Sequence, residues 1–91
     1  MPEFLPLGSV VMLKGAAHRV MIVGRIQRGP DGKVHDYCGV LWPEGYIASD
    51  QMIIFDHDQI ELLYFIGLQD TLEFNHRFVL EEKYENIHQI N

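Results

Sequence analysis

The chain has 91 residues, 47% of them hydrophobic and 22% charged, with a formal net charge of −6. That suits one small domain with a modest core and is too apolar for a disordered chain. No apolar run approaches the ~20 residues of a membrane span. The opening MPEFLPLG lacks the basic n-region and long apolar stretch of a signal peptide, and the lone Cys38 allows no internal disulfide. Both features make the cytoplasm the expected location. Charge is uneven along the chain. Residues 1–35 carry five bases against Glu3 and Asp31, whereas residues 36–91 carry Arg77 and Lys83 against eleven acids. A chain this acidic repels phosphate backbones unless its bases gather on one face. The asymmetry fits a protein partner, and equally a plain solvated surface.

The first two-thirds reads as strands. GSVVMLK (8–14) is short, apolar and β-branched, and Gly15-Ala16-Ala17-His18 is a tight connection to RVMIVGRIQ (19–27), which completes a hairpin. In the second strand Val20, Ile22 and Ile26 alternate with Met21, Val23 and Arg25, and Gly24 marks a bulge or bend. Arg28-Gly29-Pro30-Asp31-Gly32-Lys33 is a turn rather than a phosphate loop, because the Walker spacing is missing. A third strand spans 36–42, and a shorter fourth lies around 52–55. Asp56-His57-Asp58-Gln59-Ile60 reads as one helical turn capped by an aspartate. ELLYFIG (61–67) is apolar on both faces and is therefore expected to be a central, doubly covered strand.

After Gly67 the period changes. Asp70 and Glu73 have capping-box spacing and open a helix over about 71–87, with Phe74, Phe78, Leu80, Tyr84 and Ile87 at helical intervals. Glu81, Glu82 and Glu85 take other positions. The whole chain, 1–91, is thus one domain of α+β class, mainly β. About five antiparallel strands over 8–67 form a small SH3-like half-open barrel, with the helix behind it. An α+β roll is the competing architecture. The expected core is Val11, Leu13, Val20, Ile22, Val40, Leu62, Tyr64 and Phe65.

Few residues suggest chemistry. The five histidines never pair at i, i+4, and neighbours in Asp56-His57-Asp58 cannot all face one ion, so no metal or other cofactor is expected. His35 and Cys38 are three apart, on opposite faces of an extended segment, which opposes a thiol–imidazole dyad. Cys38 is expected to be a small buried side chain that reacts slowly. No catalytic constellation stands out. Trp42, Tyr37 and Tyr46 could stack bases while Arg25 and Arg28 grip phosphates, so a small nucleic-acid-binding barrel is the alternative reading, although net charge opposes it.

The segment GVLWPEGY (39–46) holds the chain's only tryptophan. Pro43 fixes φ and Gly45 can adopt positive φ, which predicts a rigid type II turn. A tryptophan at its shoulder either plugs the barrel mouth or stands out as a contact residue.

LPLGSVVMLKG (5–15), RVMIVGR (19–25), YCGVLWPEGY (37–46) and FDHDQIELLYFIGLQD (55–70) together resemble domain-of-unknown-function family 4176 of small Gram-positive bacterial proteins. Trp42 stands where that pattern has tyrosine, and residues beyond 70 lie outside the resemblance. The resemblance implies a non-catalytic accessory protein, a cytoplasmic chaperone or targeting adaptor encoded beside type VII secretion toxins of the LXG class. The expected contact residues for such an effector are Trp42, Pro43, Glu44 and Tyr46, with Arg25 and Arg28 as a second patch.

Overall fold

The computed structural model describes residues 4–90. Strands β1 (Val10–Leu13), β2 (Arg19–Arg28), β3 (Val34–Trp42), β4 (Ile53–Phe55) and β5 (Ile60–Phe65) precede one helix, α1 (Thr71–Ile90). They form a single antiparallel sheet in the order β4-β3-β2-β1-β5. This is the expected α+β, mainly β architecture: an open, barrel-like sheet with a C-terminal helix. A 3-10 turn at His57–Gln59 leads into β5, as the polar stretch predicted. Gln59 Oε1 accepts the Asp56 backbone N–H at 2.8 Å and holds that turn shut.

The hairpins follow their turn chemistry. In the β2–β3 connection, Gly29 N–H donates to Lys33 O at 2.8 Å and Lys33 N–H donates to Asp31 Oδ1 at 3.0 Å. The pairing of β2 with β3 shifts between Ile22 and Gly24, so the bulge falls where the glycine predicted it. Ser9 is fully buried and ties the ends of the barrel together. Its hydroxyl donates to Pro6 O at 2.8 Å and accepts Gly67 N–H at 3.0 Å. The exit from β5 therefore runs against the N-terminal segment, and a Cβ on Gly67 would run into Leu7 O. Only glycine fits there.

Phe4, Val11, Val20, Ile22, Tyr37, Phe55 and Leu80 form the core. Phe4 sits edge-on to both Tyr37 and Tyr84, at 6.0 and 5.7 Å between ring centroids, so the N-terminal segment is a wedge between sheet and helix. Of the expected core residues, Val11, Val20, Ile22 and Val40 are buried and Leu13 is half-buried. Leu62, Tyr64 and Phe65 are not: they are 52%, 47% and 61% exposed. This corrects the expectation of a central, doubly covered β5. The strand is at the sheet's edge with only β1 beside it, and α1 lies over the Phe4–Tyr37 side instead.

The helix also presents a different face from the one expected. Asp70 Oδ1 accepts Glu73 N–H at 2.9 Å, so the helix starts at its predicted cap. The Glu73 carboxylate, however, accepts two hydrogen bonds from Arg25 on β2, at 2.6 and 2.8 Å. That contact turns Glu73, Arg77, Leu80, Tyr84 and Ile87 inward. Phe74 and Phe78, one position off this stripe, are exposed.

The burial pattern separates two substitutions. Ile22→Ala should cost about 2–5 kcal/mol in urea denaturation, whereas Leu62→Ala should cost under about 1 kcal/mol. Equal losses at the two positions would contradict the edge placement of β5.

Candidate functional site

The turn after β3 is built differently from the type II turn expected. The Trp42–Pro43 peptide bond is cis, Gly45 has φ +79°, and Gly45 N–H donates to Leu41 O at 2.7 Å. That bond closes five residues, Leu41 to Gly45, rather than the four of a β-turn. Gly45 supplies the positive φ that the sequence anticipated. Pro43 and Glu44 are exposed at the tip, and Tyr46 and Ile47 project beyond it, 65% and 58% exposed.

Trp42 neither plugs the barrel nor stands free. It pairs in register with Arg19 on β2, which puts both side chains on the sheet face away from α1. There Trp42, Val10, Met21, Tyr64 and Phe65 line a shallow groove of about 490 Å³. The Arg19 guanidinium lies 4.3 Å from the centre of the Tyr64 ring and caps one end of it. Arg19 was not singled out from the sequence and Tyr64 was expected in the core, because the register that joins them at the surface is set only by sheet assembly.

The other proposed contact residues separate. Arg25 is internal: its side chain is 5% exposed, it is ion-paired with Glu73 at 2.6 Å, and it also donates to Leu5 O at 3.3 Å. Burial pushes the Glu73 carboxyl up, but hydrogen bonds from Arg25 and Arg77 outweigh it and hold the group below its ordinary value. Arg28 is exposed and donates to Gly32 O within its own hairpin at 2.5 Å. The two arginines therefore form no shared surface patch. Tyr37, the third member of the envisaged stacking platform, is fully buried. Its hydroxyl accepts Leu5 N–H at 3.0 Å and shares a hydrogen bond with His57 Nδ1 at 2.7 Å, and burial pushes the phenol up to about 12.

Most remaining titratable groups near the sheet's other end serve the fold. Asp36 Oδ2 accepts His57 N–H at 2.9 Å, and Asp56 Oδ1 accepts Asp36 N–H at 3.0 Å. His35 lies between two carboxylates, with Nδ1 3.1 Å from Asp56 and Nε2 3.1 Å from Asp31. His35 and Asp31 line one cleft of about 840 Å³ together with Cys38, whose thiol is pushed up by burial. A thiol raised in this way is a poor nucleophile at neutral pH. Cys38 packs over Gly24, where a Cβ would stand 2.7 Å from its Sγ. Among the described residues, no group of three or more His, Cys, Asp or Glu side chains is placed to hold a metal ion. Among them, too, no helix is long and apolar enough to cross a membrane.

Fold and surface together define a small open-barrel protein that leaves several large apolar side chains of β5 and of the turn after β3 exposed. The chain belongs to the family described as Domain of unknown function (DUF4176), which matches residues 4–76. The match covers the whole barrel and the start of α1. No curated protein and no solved structure matches the chain.

The His35 cluster predicts a pH dependence. Hydrogen bonds to Asp56 and then Asp31 raise His35 above its ordinary 6.5, against the opposing effect of burial. Hydrogen bonds from Lys33 and His35 lower Asp31 below its ordinary 3.8. A raised histidine contributes stability fully below 6.5 and loses it as pH rises through the folded value. The lowered aspartate contributes above 3.8 and loses its share on acidification. The destabilisation of His35→Gln should therefore be greatest near pH 5–6 and shrink by about pH 8 in thermal melts. A deficit that grows with pH would contradict this.

Proposed function

We propose that this protein is a non-catalytic accessory protein that binds a protein partner, acting as a cytoplasmic chaperone or targeting adaptor for a type VII secretion effector. One observation carries the binding part of that reading. Large apolar side chains crowd the surface from the Trp42–Ile47 turn to β5, where Tyr46 and Ile47 are the most exposed of the turn. Monomeric proteins rarely leave apolar patches beyond a few hundred Å² open unless something docks on them. Tyrosine and tryptophan at such a place supply wide contact with few rotors to freeze. The effector class rests on the resemblance of residues 5–70 to proteins encoded beside such toxins. The rigid turn presents Tyr46 as the first contact, Glu44 sets charge at the rim, and Arg28 flanks the far hairpin. Internal placement of Tyr37 and Arg25 removes two of the groups on which a nucleic-acid platform would depend.

Co-purification with the product of the adjacent open reading frame tests the proposal. Tyr46→Ala should melt within a few degrees of wild type yet bind that partner at least tenfold more weakly, about 1.4 kcal/mol. Unchanged affinity in a calorimetric titration would reduce the turn to a structural element. Affinity that collapses steeply with salt towards a nucleic acid would favour the alternative.

A further inference from the structure

The groove beside Trp42 is built from one set of cross-strand partners on one face of the sheet. Val10 pairs with Met21 on one side and with Phe65 on the other, and Arg19 pairs with Trp42. Residues directly opposite share a face, as do Arg19 and Met21, two apart on β2. Between Val10 and Val11 the partner on β5 jumps from Phe65 to Leu63, so Tyr64 is an extra residue and lines the same groove as Phe65. Ile66 takes no part, because it lines a separate cleft with Phe4 and Arg77.

Arg19 is the only charged residue lining this apolar groove. Its guanidinium rests 4.3 Å from the centre of the Tyr64 ring. Stacking engages the flat side of the guanidinium and leaves its in-plane N–H donors in the fork that matches a carboxylate. Among the described residues no carboxylate pairs with Arg19 and no side-chain acceptor takes those donors. The net charge of −6 repels polyanions, so a single local cation suits a single acid.

The backbone beneath restricts the occupant further. The floor consists of β3, β2, β1 and β5, hydrogen-bonded side by side. An added strand or a chain terminus needs free backbone groups to bind, whereas a helix arrives with its own hydrogen bonds made. From Met21 to Arg19 is two strand residues, roughly 7 Å, which is close to the ~5.4 Å of one helical turn. Resting on the partner-binding reading above, we infer that this groove binds a helix of the protein partner that carries an acidic side chain one turn from large apolar ones. The apolar side chains pack on Trp42, Met21 and Phe65, and the carboxylate accepts two hydrogen bonds from Arg19.

Trp42 is the only tryptophan of the chain, so its fluorescence reports occupancy of the groove. The probe is a helical peptide of about 16 residues, rich in alanine and glutamine, with two leucines one turn apart and a glutamate one turn beyond. Titrated into the full chain, it should shift Trp42 emission and bind at least fivefold more tightly than its twins with glutamine or lysine for the glutamate. Arg19→Gln should abolish that preference and Arg19→Glu should reverse it towards the lysine twin, with melting within a few degrees of wild type. Equal affinity for the three peptides, or no shift at millimolar peptide, would overturn the assignment. So would an emission shift on concentrating the chain alone, which would seat a second copy in the groove. Capture of the adjacent open reading frame's product separates the two readings. If wild type and Arg19→Glu capture it equally, the groove assignment fails and the proposed function stands. If wild type captures nothing yet prefers the glutamate peptide, the proposed function fails and the groove's preference stands.

Discussion

The ion pair between Arg25 and Glu73 decides which surfaces of this protein are left to solvent. Both side chains are nearly buried, at 5% and 11% exposure, and the guanidinium meets the carboxylate through two hydrogen bonds. Desolvating two charges costs several kcal/mol each, so such a pair persists only where its geometry is good and its remaining donors are used. Here Arg25 also reaches Leu5 O, and Glu73 is bound a second time by Arg77 at 3.0 Å. The pair thus locks strand, N-terminal segment and helix in one orientation. Leu80 and Tyr84 close over Phe4, Phe74 and Phe78 are turned outward, and β5 is left without a second layer.

A second constraint accounts for the scarcity of free polar groups around the core. Tyr37 hydrogen-bonds Leu5 and His57, Asp36 receives the His57 backbone, and Asp56 receives Asp36 and His35. This chain of contacts joins β3 to the 3-10 turn ahead of β5 and fixes the direction from which that last strand enters the sheet. Residues that look reactive in a sequence are here the joints of a small barrel with little apolar volume to spare. Large apolar side chains of β5 and of the turn after β3 are meanwhile left at the surface.

Much of the barrel was legible because its signals are local. The Gly24 bulge, the Pro-Asp-Gly hairpin, the Asp70 cap and the polar turn at 57–59 each depend on neighbouring residues alone. What misled were features whose meaning depends on the far side of the molecule. An uninterrupted apolar run such as Leu62–Ile66 reads as a central strand, and the same composition suits an edge that docks on something else. Phe74 and Phe78 have the spacing of a buried stripe, but the roll of α1 is set by Arg25, 48 residues away in sequence. Arg25 itself read as a surface charge for the same reason. The groove joining Trp42, Arg19 and Tyr64 draws on three strands, and no local pattern predicts its register.

The central claim is that the Arg25–Glu73 contact holds the helix in the orientation that leaves β5 open. A double-mutant cycle measures it directly, using Arg25→Met, Glu73→Gln and the double variant in urea denaturation. A coupling of at least about 1.5 kcal/mol, with each single variant more damaging than the double variant's loss would suggest by addition, is the predicted result. Additive losses, with coupling below about 0.3 kcal/mol, would contradict it and leave the helix orientation to the packing of Leu80 and Tyr84 alone.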